Sequence, residues 1–176
     1  MTVDDRGVAF TRASRVCRAI VWGGLVAGVL DITDAFVAYG VLGVSPVRIM
    51  QSIASGLLGS SAYAGGAPTA ALGLFLHFVI AFGAATAYSL ASLKLRALVL
   101  HPVRYGLAFG VGVYLFMNYL VLPLSAFKKG SGFSLPLFVN GVLAVVLLVG
   151  LPIGLLTARF LRTEGTVTAR DSDSAR

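Results

Sequence analysis

AIVWGGLVAGVLDITDAFVAYGVLG, residues Ala19 to Gly43, is long and apolar enough to cross a bilayer, yet it carries two carboxylates, Asp31 and Asp34, near its middle. A charged side chain at that depth costs ~2.5–3.5 kcal/mol on insertion scales, so neighbouring helices are expected to supply partners. The rest of the chain has to account for those two residues.

The composition agrees with a membrane class. Of 176 residues, 57% are hydrophobic and 12% charged, and the mean hydropathy is +0.90. Soluble domains carry roughly twice that share of charge. The expected architecture is all-α, one polytopic domain of four transmembrane helices plus a short amphipathic helix between the first two. By hydropathy the spans run Ala19 to Gly43, Pro68 to Leu93, Pro102 to Ser125 and Leu135 to Leu161, each long enough for a ~30 Å hydrocarbon core. Pro68, Pro102 and Pro136 fall where a first helical turn tolerates a missing N–H. Pro123 and Pro152 fall inside spans and are expected to bend them and free carbonyls.

Residues 1–18 hold Arg6, Arg12, Arg15 and Arg18 and are expected to form a short basic cytoplasmic arm. The apolar run behind them is too long for a cleaved signal peptide. Residues 162–176, Arg162 followed by TEGTVTARDSDSAR, lack periodicity and are expected to be a disordered cytoplasmic tail. With the N-terminus inside, eleven Lys and Arg residues fall on the cytoplasmic side, and Arg48, Lys128 and Lys129 on the other. That bias puts both termini in the cytoplasm. Trp22, Tyr88, Tyr105 and Phe160 then lie near the inner boundary, with Tyr39, Tyr119, Phe127 and Phe133 near the outer one.

Residues 46–58 read as the short helix, with Ser45 as N-cap, Ile49, Met50, Ile53 and Leu57 on one face and Arg48, Gln51, Ser52 and Ser55 largely opposite. It is too short to span. It either lies on the outer surface or re-enters as a lid, in which case Arg48 and Gln51 belong to the gate and Arg48 descends towards Asp34.

Small residues should bring the helices together, through Gly24 with Gly28, Gly83 with Ala87, Gly106 with Gly110, and Gly150 with Gly154. Gly24, Ala27, Gly28, Asp31, Asp34, Ala35 and Ala38 share one stripe of the first helix, while Leu25, Val29, Ile32 and Phe36 point largely elsewhere. Gly73, His77, Ala81, Ala84 and Tyr88 form a stripe on the second. Counting 1.5 Å per residue from the cytoplasmic basic residues puts Asp31, Asp34, His77, Asn118 and Asn140 in a band about 8 Å deep. These five are expected to form an intramembrane polar cluster. It would serve either as a proton or cation site or as a buried network that only specifies helix pairing. Gly24 to Val29 and Gly106 to Val111 also match as a short internal repeat.

Much other chemistry is excluded. A single cysteine, Cys17, allows no intramolecular disulfide and is expected only to pack. The basic residues sit between apolar runs rather than on one face, so no nucleic-acid surface is expected. Phosphate-binding glycine loops, a nucleophile elbow and a zinc-protease helix are all lacking. Asp31-Ile-Thr-Asp34 resembles the aspartate motifs of lipid-phosphate transferases only superficially, and the pair lies too deep for a headgroup enzyme. No enzymatic activity, cofactor or resident metal is expected, since two carboxylates and one imidazole are a poor ligand set. The expected partners are the lipid bilayer, a small solute or cation, and other copies of the chain in a homo-oligomer, because four short helices enclose little space.

GVSPVRIMQSIASGLLG at Gly43 to Gly59, LGLFLHF at Leu72 to Phe78 and FMNYLVLPLSAF at Phe116 to Phe127 resemble a group of short four-span bacterial membrane proteins that are uncharacterised. More remotely the layout is similar to the YagU-like inner-membrane proteins, a domain of unknown function. The resemblance covers nearly all of Ile20 to Leu161. It implies the bacterial cytoplasmic (inner) membrane and no particular activity.

Overall fold

A computed structural model describes residues 3–126 and 134–162, with side chains described from Arg12 onward. Six helices follow one another: α1 (Val3–Gly40), α2 (Pro46–Leu58), α3 (Gly66–Lys94), α4 (Arg96–Leu100), α5 (Pro102–Leu124) and α6 (Leu135–Leu161). Four stretches are long and apolar enough to cross a membrane: Arg12–Gly40, Gly66–Lys94, Pro102–Leu124 and Leu135–Leu161. They match the four hydropathy spans to within a few residues, apart from the start of the first. There α1 is continuous from Val3, so no break in the helix separates residues 3–18 from the apolar run. Lys128, Lys129, Phe127, Phe133 and the tail beyond Arg162 lie outside the described residues.

Both internal prolines are absorbed by a change of helical pitch. Met117–Val121, just before Pro123, and Val145–Gly150, just before Pro152, are π-helical. The N–H of Leu122 donates to the Met117 carbonyl and that of Leu151 to the Val146 carbonyl, five residues back in each case. A proline lacks the N–H that would continue the i→i−4 ladder, and one extra residue per turn lets the chain pass it.

The bundle is ordered α3, α1, α6, α5. Gly24 and Gly28 of α1 lie beneath the rings of Phe82 and Phe78 of α3. At the other crossing the contact is backbone on backbone. A Cβ at Gly110 would stand 2.6 Å from the Val146 Cα, and one at Gly154 would stand 2.7 Å from the Pro102 carbonyl oxygen. The two halves of the short internal repeat thus pack against unlike partners, aromatic rings in one case and main chain in the other. Gly83 meets nothing within 4 Å and Ala87 is exposed, so the expected small-residue contact there is absent. Ala27, Ala85, Tyr88, Val149 and Ile153 form the buried centre of the bundle. Large apolar side chains such as Leu25, Phe75, Val79 and Leu115 face outward, which suits a hydrocarbon surround.

Ser45 begins α2 as expected, its Oγ accepting the Arg48 N–H at 3.3 Å. Gly59, at φ 64°, ends it in the left-handed region that favours glycine. The buried face differs from the expected one. Ile49 and Met50 are buried as expected, but Gln51, Ala54 and Ser55 are turned inward with them and Leu57 is 65% exposed. The reason is Gly73 of α3, whose missing side chain leaves room for the Met50 carbonyl. Ile32 of α1 also turns inward, packing with Ile49 and Met50 rather than pointing away. Cys17 is exposed.

Candidate functional site

Gly28 is the pivot of the site. Without a side chain there, α3 comes close enough for the His77 Nε2 to lie 2.9 Å from the Gly28 carbonyl oxygen. A carbonyl can only accept, so Nε2 is the donor of this bond. The Phe78 ring meets the imidazole edge-on at 5.5 Å.

One turn beyond Gly28, Asp31 and His77 border a common cavity of about 650 Å³. Asp31 lies within electrostatic reach of both His77 and Asp34. Among the described residues no donor is hydrogen-bonded to its carboxylate, which fronts the cavity instead. Ala27, Ile32, Ala81 and Val149 supply apolar wall. The far end is closed by α2 and the 3₁₀ turn Gly59–Ala64, which bring Arg48, Ser52 and Tyr63 to the rim. There the Arg48 guanidinium lies over the Tyr63 ring, 3.9 Å from its centroid, a cation–π arrangement.

The expected five-residue cluster therefore divides. Residues i and i+3 on a helix are about 60° apart in azimuth. That rotation turns Asp34 away from the cavity towards α6, where the Asn140 Nδ2 donates to its Oδ2 at 2.7 Å. Asn118 joins neither group. Its amide, within the π-helical stretch, donates to the Tyr114 carbonyl of its own helix at 3.0 Å. Arg48 belongs to the Asp31 cavity and not to Asp34. Gln51 is not among the residues that border the cavity; its Nε2 donates to the Gly66 carbonyl at 3.1 Å and ties α2 to the start of α3. Among the described residues no three His, Cys, Asp or Glu side chains come together as a metal site.

Several participants were invisible to periodicity. Tyr63 sits in the short SSAYAGG stretch, where no repeat marks a face, and Tyr39 and Ser52 reach the cavity only because of how α2 folds back. Away from the cavity, Ser89 and Thr157 share a buried hydrogen bond of 3.2 Å between α3 and α6. The last carbonyls of α4 are also occupied. Tyr88 Oη donates to Leu98, while Arg162 Nε and Nη2 donate to Val99 and Leu100 at 2.8 Å each.

No protein family, curated protein or solved structure matches the chain.

Proposed function

We propose that this chain is a small multi-pass membrane protein that moves protons or a cation, using Asp31 and His77 as the groups that exchange them. One observation carries the reading: a carboxylate from α1 and an imidazole from α3 meet at one cavity, and the carboxylate has no protein donor among the described residues. Intramembrane acidic groups that face a cavity are typical of ion and proton paths. A single chain holds the cavity, so the reading does not require a second copy.

The orientation that accompanies this proposal has both termini in the cytoplasm of a bacterium and α2 as a lid on the outer side. It is supported by the gathering of Lys94, Arg96, Arg104, Arg159 and Arg162 at the end away from Arg48, and by the resemblance to short four-span bacterial proteins. A purely structural role suits the other group better. Asp34 and Asn140 satisfy one another across two helices, as a pairing contact requires.

The test is flux through the full-length protein in liposomes containing a pH-sensitive dye. After an imposed proton gradient, the parent and Asp34→Asn should relax at similar rates, and Asp31→Asn at least about tenfold more slowly. Equal relaxation by Asp31→Asn and the parent, both correctly assembled, would overturn the reading.

A further inference from the structure

The cavity has a side opening as well as a roof. Helices α3 and α5 do not pack along their lengths. They meet through the Tyr88 and Phe109 rings, whose centroids are 5.1 Å apart. From that contact towards the Arg48 end, Ala84 and Val113 are one helical turn on, and Ile80 and Met117 two turns on, ~6 and ~12 Å along the axes. All four border the cavity, and Ile80 is 39% exposed on the outer face of α3. The gap between the two helices is thus an apolar slot that begins above an aromatic floor and runs up to the lid.

The polar groups on the cavity have a definite arrangement of charge. The Asp31 carboxylate and the His77 ring belong to residues that border the cavity together. The Arg48 guanidinium lies at the rim, exposed and held over Tyr63. A simple anion would face the carboxylate, and a simple cation would not pair with the guanidinium. A molecule with both an ammonium and an acidic group satisfies each. In a low-dielectric surround, charge-assisted hydrogen bonds of this kind are the strong ones. The apolar slot suits a hydrocarbon tail that remains outside, among lipid tails, while the headgroup sits within.

We infer that the cavity binds a zwitterionic amphiphile, its ammonium on Asp31, its phosphate or carboxylate on Arg48 and its tail leaving between α3 and α5. This inference rests on the proposed exchange function, since the ammonium and the exchanged proton or cation would compete for Asp31. Ile80→Trp should close the slot to a tail, because the exposed position accommodates a larger ring without disturbing the core.

The experiment measures binding to the full-length protein in detergent by native mass spectrometry. The probes are oleoyl lysophosphatidylethanolamine, octadecylamine, oleate and tail-less phosphoethanolamine. The lysolipid should bind best. Asp31→Asn and Arg48→Gln should each weaken it at least about tenfold, and Ile80→Trp should weaken the lysolipid while sparing phosphoethanolamine. Octadecylamine binding as tightly as the lysolipid, with no effect of Arg48→Gln, would overturn the inference, as would binding of oleate alone or of no probe. Phosphoethanolamine equal to the lysolipid in the parent would replace the amphiphile by a soluble zwitterion and remove the role of the slot. Liposome flux is scored separately. Loss of flux in Asp31→Asn without lysolipid binding leaves the exchange function standing and sinks the amphiphile. Lysolipid binding with unchanged flux does the reverse.

Discussion

Asn140 donates its side-chain amide to Asp34 Oδ2 at 2.7 Å, joining α1 to α6 across 106 residues of sequence. Asp31 is one turn away on the same helix and fronts a cavity. Two carboxylates that look equivalent in the sequence thus have separate partners and invite separate tests.

Removing the amide should leave the Asp34 carboxylate without that partner. Asn140→Leu is expected to destabilise the bundle by ~0.6–2 kcal/mol, the span of values for interhelical hydrogen bonds in lipid. Asp34→Asn should lose less, because an amide can still accept from Asn140. Unfolding in mixed detergent micelles checks both. Equal losses would mean that charge, rather than the hydrogen bond, holds the pair.

Gly73 and Gly83 are both on α3, but only the first meets a neighbour. Gly73→Val should displace the Met50 carbonyl and lift α2, lowering stability by ~1–3 kcal/mol. Gly83→Val faces open space and should change stability by no more than ~0.5 kcal/mol. Thermal unfolding of the two variants side by side reads the difference. The predicted asymmetry vanishes if α2 is not seated on Gly73.

Thr157→Val keeps the shape of the side chain and removes the hydroxyl that Ser89 meets. A loss of ~0.5–1 kcal/mol is expected. In the double variant with Ser89→Ala, the second change should cost less than it does alone, which a double-mutant cycle resolves.

Arg162 donates to the Val99 and Leu100 carbonyls, which α4 leaves without helical partners. In Arg162→Ala, amide exchange over residues 96–100 should quicken by about tenfold, from the loss of two charge-assisted bonds. Arg162→Lys should restore part of the protection, since an ammonium lacks the planar fork that reaches both carbonyls. Hydrogen exchange resolved by mass spectrometry makes the comparison. Unchanged exchange in the alanine variant would show that α4 is held by its neighbours alone.

Part of the site was legible from spacing alone. Asp31, His77, Ala81 and Ala84 were expected to face inward, and all four border the cavity. Spacing also put Asn118 at the right depth, but depth does not specify a partner. An amide can satisfy itself on a carbonyl four residues back, and Asn118 does so. Only as a lid was α2 expected to bring Arg48 towards Asp34. The position of Tyr63 directs it elsewhere, and Tyr63 lies in a turn with no periodic signal.

Hydropathy and helical periodicity were sufficient for four long apolar helices and the Ser45 cap, and they marked Pro123 and Pro152 as places where regular helix is interrupted, though not that a change of pitch would absorb them. These are local properties, set by side chains within a few residues of one another and by the hydrogen bonding of the helix backbone itself. How the polar groups are shared out is not local. It depends on how closely each pair of helices approaches, and therefore on what stands opposite Gly28, Gly73 and Gly110. A 60° turn between Asp31 and Asp34 gives one carboxylate to a cavity and the other to Asn140, and only the assembled bundle brings α6 and α3 to those two directions.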